Sequence, residues 1–329
     1  MICFDLEGPL SPQDNAYEVM SLSENGRPVF EALSEYDDIL SLENRPGYEP
    51  GDTLKLIVPF LSYYGFSEAD ISRVSAGAVL VSGMKDVVDW LRSRGEQVRI
   101  ISTSYEQHAH SVGRRLGVAG RDIASTGLDL GEFTLDSDVH DALRQIEKKV
   151  LEGGLSSDVI AMLDELYFGS GLFQQIGVEV VGGQRKVDAL LRFAAEAGED
   201  VSDVVAVGDS ITDYKMLREV SDAGGLAIAF NANKYCLPYA DIGVATLDGR
   251  AVLPIIGAFI SSGRRGALQK AAELESDITV LESEGYDYLL ELESPPVYSV
   301  IAENKDLKGI LAVHRDMRMK VRGEAGKLG

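Results

Sequence analysis

The chain opens with the stretch MICFDLEG, residues 1–8, in which an apolar run ends in two carboxylates and a glycine. A second stretch, VVAVGDSITD at residues 204–213, repeats the arrangement, with Asp209 and Asp213 following the apolar run 204–207. A buried strand rarely ends in clustered acidic residues unless those residues have a function. The two strand ends are therefore predicted to share one site, in which their carboxylates could bind a single divalent cation.

Composition narrows the class of protein. The chain has 329 residues and a formal net charge of −22, so it can bury a large core and would repel nucleic acid and anionic membranes. Its two cysteines, Cys3 and Cys236, are too few for a disulfide framework, which favours a reducing cytoplasm. The N-terminus has no basic-then-apolar leader, and no window approaches the roughly twenty apolar residues of a membrane span. We expect a cytoplasmic protein.

Strand and helix patterns alternate outward from these two stretches. Helices are predicted at 84–93, 106–116 and 187–197, and strands at 98–101, 178–181, 204–207 and 226–230. Such alternation is typical of an α/β fold, a doubly wound and mostly parallel sheet with helices on both faces. The fold class is predicted on that basis.

Three further regions interrupt or follow the alternation. Residues 11–81 read as a separate helical unit broken by proline and glycine, and residues 138–175 as a helical insertion. The predicted core is therefore 1–10 plus 82–265, and 266–329 forms a C-terminal extension. Its basic end, 316–327, is expected to be a peripheral tail or a surface for a partner.

The polar residues that follow the predicted strands define a candidate site. In open parallel sheets, ligands bind beyond the carboxyl ends of the strands. A lysine begins the helix before the last acidic strand end and could supply an ammonium group. Carboxylate oxygens of this kind suit Mg²⁺, which binds one or two carboxylates together with phosphate oxygens and water. The residues at these positions are Asp5, Glu7, Ser102, Lys186, Asp209 and Asp213.

Four motifs in this order carry a family resemblance. DLEG at 5–8, Ser102, Lys186 and GDSITD at 208–213 resemble the motifs of the haloacid dehalogenase (HAD) superfamily, in its phosphoserine-phosphatase-like branch. The resemblance covers about residues 1–260. It implies a Rossmann-like core, with residues 11–81 as a helical cap that closes over the site and selects the leaving group.

The resemblance also implies a role for each site residue. Asp5 would attack phosphorus and form an aspartyl phosphate, and Glu7 would act as the general acid and base. Hydrogen bonds and positive charge for the phosphoryl group would come from Ser102, Thr103 and Lys186. The Mg²⁺ ligands implied by the family are Asp5, Glu7 through its backbone carbonyl, Asp209 and Asp213.

One residue departs from the family pattern in a way that bears on rate. Family phosphatases have Asp at the position of Glu7, and Thr or Val at the position of Pro9. An extra methylene displaces the carboxyl group by about 1 Å, and a displacement of that size can cost about 10²-fold in rate. The departure bears on the rate of turnover and does not affect the predicted fold.

Two functions therefore stay open on the sequence. The first is a Mg²⁺-dependent phosphatase that hydrolyses a small phosphorylated metabolite through an aspartyl phosphate. The alternative is a HAD-like binding or accessory protein without efficient turnover. The opening stretch through residues 14–16 resembles archaeal HAD-type proteins described as accessory subunits of an energy-converting hydrogenase. A homodimer or protein partner would dock through the cap or the C-terminal extension.

Each site residue also has a plain structural interpretation. Asp5 could cap a turn, Ser102 could cap a helix starting near residue 105, and Lys186 alone would be an ordinary surface lysine. His108 and His110 are two residues apart, so solvated or packing roles are favoured over a metal site. Three cations of the 11–81 unit could meet a second anionic group of a substrate, or could simply be solvated: Arg27, Arg45 and Lys55.

Overall fold

A seven-stranded sheet forms the centre of the protein, here a computed structural model that describes residues 1–301 and 307–328. The strands are β1 (Ile2–Phe4), β2 (Val98–Tyr105), β3 (Ile123–Thr126), β4 (Val205–Gly208), β5 (Leu226–Phe230), β6 (Ile242–Ala245) and β7 (Val297–Val300). Their order across the sheet is β3-β2-β1-β4-β5-β6-β7. The first six strands run parallel, and β7 pairs with β6 antiparallel.

Helices cover both faces of this sheet and build a second layer beyond one edge. They are α1 (Asn15–Met20), α2 (Gly26–Leu42), α3 (Thr53–Leu56), α4 (Val58–Tyr63), α5 (Glu68–Ala76), α6 (Met84–Ser93), α7 (Glu106–Leu116), α8 (Ser137–Gly153), α9 (Ser157–Asp164), α10 (Leu172–Gln175), α11 (Gln184–Ala197), α12 (Tyr214–Asp222), α13 (Leu253–Ser276), α14 (Val280–Ser283) and α15 (Leu307–Arg322). A break at Gly263, with φ of 64°, divides α13.

The central strand β1 fixes where the acids lie. Phe4 pairs with Ile100 of β2 on one side and with Val207 of β4 on the other. Ile2 and Phe4 pack into one apolar cluster, whereas Cys3 packs into the cluster on the opposite face. This alternation buries both faces of a strand that is apolar throughout, as parallel sheets require. The predicted α/β class, with a mostly parallel sheet and helical additions, is confirmed.

A third apolar cluster lies outside the sheet and joins two distant parts of the chain. Residues of α1–α5 pack with residues of α8–α10, and we call these eight helices the helical layer. The Tyr36 hydroxyl of α2 donates a 2.7 Å hydrogen bond to Asp164 at the end of α9, and Arg45 pairs with the same carboxylate at 2.9 Å. The segments 11–81 and 138–175 therefore build one layer above the carboxyl edge of the sheet.

The strand predicted at 178–181 is wrong. This stretch has no regular secondary structure and lies outside the sheet, beside the edge strand β3. The Val181 amide instead donates a 3.1 Å hydrogen bond to the Thr126 hydroxyl of β3. Strands β3, β6 and β7 were not predicted from the sequence, and each of them has only four residues.

The expectation of a peripheral basic tail is also wrong. Helix α15 packs against the sheet through buried residues three or four positions apart, including Ile310, His314 and Met317. Its basic residues divide between the two sides, with Arg315 exposed and Arg318 only 3% exposed. Residues 302–306 and 329 of the predicted extension lie outside the described residues. Within the described ranges, no helix is both long and apolar enough to cross a membrane.

Candidate functional site

A small cavity opens between the carboxyl edge of the sheet and the helical layer. Its volume is about 90 Å³, which corresponds to roughly six or more water-sized sites. Three parts of the chain line it. The core supplies Asp5, Glu7, Thr103, Ser210, Ile211 and Thr212, the helical layer and its loops supply Asp14, Phe30, Ser34, Asp37, Gly51, Thr53 and Leu54, and the C-terminal segment supplies Arg318, Arg322 and Leu328.

Lys186 lies fully buried between two carboxylates. Its Nζ donates hydrogen bonds of 2.7 Å to Asp5 and 2.6 Å to Asp213. Burial alone would lower the pKa of Lys186, but the charges of Asp213 and Asp5 overcome it, so the ammonium form is stabilised. Burial and the charge of Asp213 raise the pKa of Asp5, and Lys186 opposes that rise. Lys186 therefore links the residue that follows β1 to the loop that follows β4.

The loop after β4 folds around Asp213. One carboxylate oxygen of Asp213 accepts 3.0 Å hydrogen bonds from the backbone amides of Asp209 and Ser210. Asp5, Asp209 and Asp213 each place an oxygen within 4.8 Å of the others. The Oδ1 atom of Asp209 is buried and has no hydrogen-bond partner among the described residues. Three converging carboxylates with one unsatisfied oxygen fit a hard divalent cation such as Mg²⁺.

Gly8 lets the first strand end approach the second. Its φ is +114°, and a Cβ built on it would lie 2.2 Å from Asp209 Oδ2. Only glycine accommodates both the backbone conformation and the carboxylate. The glycine of the opening motif thus keeps Asp209 against the end of β1.

We expect Gly8→Ala to abolish divalent cation binding, because the new methyl group must displace the Asp209 carboxylate. Strain at the positive φ adds a stability loss of about 1–3 kcal/mol. Mn²⁺ titration and thermal denaturation measure the two effects. Gly198→Ala is the matched control, since its φ is +68° but nothing lies within 4 Å of its Cβ. Cation binding by Gly8→Ala equal to that of the control would contradict this role.

Glu7 is held by the helical layer. Its Oε1 accepts a 2.9 Å hydrogen bond from the Asn15 amide at the start of α1. Burial, followed by the neighbouring charge of Asp14, raises the pKa of the Glu7 carboxyl. The Nε2 atom of His108 lies 3.9 Å from the same Glu7 oxygen, and both ring nitrogens of His108 have no partner among the described residues. Glu7 thus reaches the cavity wall beside Asp5 and contacts the layer that covers it.

His108 and Asp14 are two site neighbours that sequence analysis missed. Burial lowers the pKa of His108 to about 4, so this side chain is neutral beside Glu7. Asp14 caps α1 by accepting a 2.9 Å hydrogen bond from the Tyr17 amide, and it also lines the cavity. Neither residue lies in the four motifs that predicted the site, so only the fold reveals that it is near Asp5.

The two hydroxyl residues of β2 differ in their surroundings. Ser102 is fully buried, shares a 2.7 Å hydrogen bond with the Ser104 hydroxyl and does not cap α7. Thr103 lines the cavity, and its hydroxyl is buried with no partner among the residues described. Of the two hydroxyls, that of Thr103 is therefore the one free to bind a ligand oxygen.

Arginines from the end of the chain reach the same acids. The Nη1 atoms of Arg318 and Arg322 both donate to Asp209 Oδ2, the latter at 2.9 Å. Arg318 also donates to the carbonyl oxygens of Gly326 and Leu328, both at 3.0 Å. The sequence of this stretch indicates only that it is basic. Nothing in its local pattern separates a buried arginine from a solvated one.

The helical layer is closed over the cavity by ion pairs with the core. Glu49 pairs with Lys215 at 2.7 Å, and Asp52 pairs with Arg185 at 2.7 Å. Between them Gly51 sits so near the core that a Cβ would lie 2.8 Å from the Thr103 methyl group. These contacts hold the helical layer against the core beside the cavity.

The three cations that the sequence offered for a second substrate anion do not line the cavity. Arg27 pairs with Glu31 and Glu324, at 3.1 and 3.2 Å. Arg45 pairs with Asp164, and Lys55 lies 4.4 Å from the centre of the Phe173 ring. Positive charge at the cavity comes instead from the core and from the C-terminal segment.

The chain is similar to a curated phosphatase and to several solved structures. No family model matches the chain. A phosphoserine phosphatase of Streptomyces coelicolor is 27% identical over 168 residues, which is 51% of this chain and 30% of that protein. The chain thus spans less than a third of that curated relative.

Solved structures extend the comparison over the whole fold. A gene product of Archaeoglobus fulgidus is 29% identical with a TM-score of 0.83, covering 100% of this chain and 98% of that one. A substrate-bound phosphoserine phosphatase is 20% identical with a TM-score of 0.51, covering 77% of this chain and 95% of the other. The similarity to this phosphoserine phosphatase concerns the fold alone.

Proposed function

We propose, from the chain's place in the phosphoserine-phosphatase-like branch of the HAD superfamily, that it is a Mg²⁺-dependent phosphomonoester hydrolase. One observation carries the proposal. Asp5, Asp209 and Asp213 converge around a buried lysine, and one oxygen of Asp209 has no partner in the described part of the chain. A cluster of that charge in a covered cavity suits phosphoryl transfer to a carboxylate.

In this proposal the reaction has two steps. A carboxylate oxygen of Asp5 attacks phosphorus, the bond to the leaving oxygen breaks, and Glu7 gives that oxygen a proton. Glu7 then takes a proton from water, which attacks the aspartyl phosphate, releases inorganic phosphate and restores Asp5. Lys186 and the Thr103 hydroxyl hold phosphoryl oxygens. When bound by Asp5, Asp209, Asp213 and the Glu7 carbonyl, Mg²⁺ supplies positive charge to the phosphoryl group.

Phosphate release tests the proposal. The substrates are p-nitrophenyl phosphate and a panel of small phosphomonoesters, each assayed with Mg²⁺ and with EDTA. Turnover that requires Mg²⁺ supports a phosphatase. No turnover of any ester by folded protein that still binds Mg²⁺ would contradict it, and would favour the binding or accessory function.

The alternative function rests on a specific contact. The Glu7 carboxylate accepts a hydrogen bond from the Asn15 amide, so part of its hydrogen-bonding capacity serves the helical layer. In a protein that only binds its ligand, Glu7 would hold the helical layer closed and would not need to act as an acid and base. This alternative predicts that phosphate binds while no ester is hydrolysed.

Replacing Glu7 by the shorter acid separates these two functions. We expect Glu7→Asp to lower the rate by about 10²-fold, because the shortened carboxyl loses the Asn15 amide and moves by about 1 Å. Glu7→Gln, which keeps the length, is the matched control and should lose still more, because the amide cannot transfer the proton. Steady-state rates on the best ester measure both. A gain in rate for Glu7→Asp would instead indicate a site that has lost its family geometry.

A further inference from the structure

Two guanidinium groups bind one oxygen of a residue that faces the cation site. Arg318 and Arg322 both donate to Asp209 Oδ2, and their side chains are 3% and 5% exposed. The other oxygen, Oδ1, is buried without a partner in the described residues. The two oxygens of the Asp209 carboxylate therefore differ. The arginines of α15 neutralise Oδ2, whereas Oδ1 is left for a ligand.

The formal charges of the side chains around the cavity indicate what the arginine pair does. The carboxylates that line the cavity or pair with its cations are Asp5, Glu7, Asp14, Asp37, Asp209 and Asp213, and the cations are Lys186, Arg318 and Arg322. The formal excess is three negative charges, of which one divalent cation would balance two. Without the arginine pair the excess would be five, and buried carboxylates with no counter-charge are costly in the absence of a metal.

We propose that Arg318 and Arg322 act as internal counter-cations of Asp209, which stabilise the metal-free protein and lower the affinity of the site for its divalent cation. The inference rests on the Mg²⁺ site of the proposed function. A positive charge held next to a metal ligand repels the incoming ion most strongly where water is excluded. Because the arginines bind Oδ2 and leave Oδ1, they weaken cation binding without blocking it.

A purely structural role predicts the opposite effect. Arg318 also ties down the chain end at Gly326 and Leu328, so its loss could disorganise Asp209 and weaken cation binding. Arg322 is the cleaner probe, since besides Asp209 it donates to the Pro12 carbonyl at 3.2 Å. Removing its charge should tighten cation binding if it is a counter-cation, and weaken it or leave it unchanged if it only holds structure.

Mn²⁺ binding measures this sign directly. The dissociation constant is determined from free Mn²⁺ for wild type, Arg322→Met and the control Arg315→Met, whose arginine is exposed two turns earlier on α15. We expect Arg322→Met to bind Mn²⁺ more than about tenfold tighter and to melt at a lower temperature in EDTA. The control should stay within about twofold of wild type, because exposed charges are screened.

The outcomes separate this inference from the proposed function. Equal or weaker Mn²⁺ binding by Arg322→Met overturns the counter-cation role while leaving the phosphatase proposal standing. No Mn²⁺ binding by wild type overturns both. Should Arg322→Met not fold, hydrogen exchange of wild type decides. Linkage is reciprocal, so Mn²⁺ should speed amide exchange in α15, and slowed or unchanged exchange would overturn the inference.

Discussion

Asp5→Asn is expected to abolish phosphate release while leaving the fold intact. The side-chain oxygen of Asn is a poor nucleophile, so the aspartyl phosphate cannot form, and we expect a loss of about 10⁴-fold or more. Asn has the shape of Asp, and its oxygen can still accept the 2.7 Å hydrogen bond from Lys186. The substitution also removes one of three acids that repel one another at the site. Stability in EDTA should therefore not fall.

A second buried carboxylate provides the control for this variant. Asp248 is 1% exposed and pairs with Arg250 at 2.8 Å, but it does not line the cavity. Asp248→Asn should lose stability through that ion pair and keep its rate within a few-fold at temperatures where it is folded. Substantial turnover by Asp5→Asn, measured as Mg²⁺-dependent release of phosphate, would remove the nucleophile from the mechanism.

Local sequence patterns predicted many of the helices and strands of the α/β core. Helices α6 and α7 begin and end at the predicted residues, because an apolar stripe and a closing glycine mark each of them. Strands β4 and β5 lie where β-branched and apolar runs predicted them. The acids of the site were found for the same reason, since Asp5 and Asp209 follow β1 and β4 directly and the parallel sheet brings their ends together.

Features set by distant parts of the chain could not be predicted in this way. Arg318 is buried where it donates to Asp209, more than one hundred positions earlier in the chain, and to the carbonyl oxygens of Gly326 and Leu328. An isolated basic helix with those residues would be solvated on that face. The pairing of 11–81 with 138–175 depends likewise on long-range contacts such as Tyr36 with Asp164.

Glu7 is the residue of the opening motif that contacts the helical layer. The carboxylate of Glu7 accepts a hydrogen bond from the first amide of α1, at Asn15. The acid therefore contacts both the cavity and the layer that covers it. Whether this length favours turnover or closure is the distinction that Glu7→Asp measures.

The largest stability effect is expected from Lys186→Met, which keeps most of the side-chain volume and removes the charge. Lys186 is 0% exposed and is the hydrogen-bond donor shared by Asp5 and Asp213, so its loss leaves two buried carboxylates without their ammonium. Breaking a buried ion pair by removing one partner costs about 3–5 kcal/mol. Urea denaturation in EDTA should show a loss of that size, together with loss of turnover.

The origin of that loss can be tested in three ways. Lys215→Met, which breaks the half-exposed pair with Glu49, should cost less than about 1 kcal/mol. Adding Asp213→Asn to Lys186→Met should restore part of the stability, because it removes one of the stranded charges. Excess Mg²⁺ should narrow the deficit for Lys186→Met, because an ion that binds only the folded protein stabilises it, and unpaired carboxylates bind the ion more tightly. Loss of packing alone would leave the deficit unchanged by either Asp213→Asn or Mg²⁺, so the two responses identify charge as the cause.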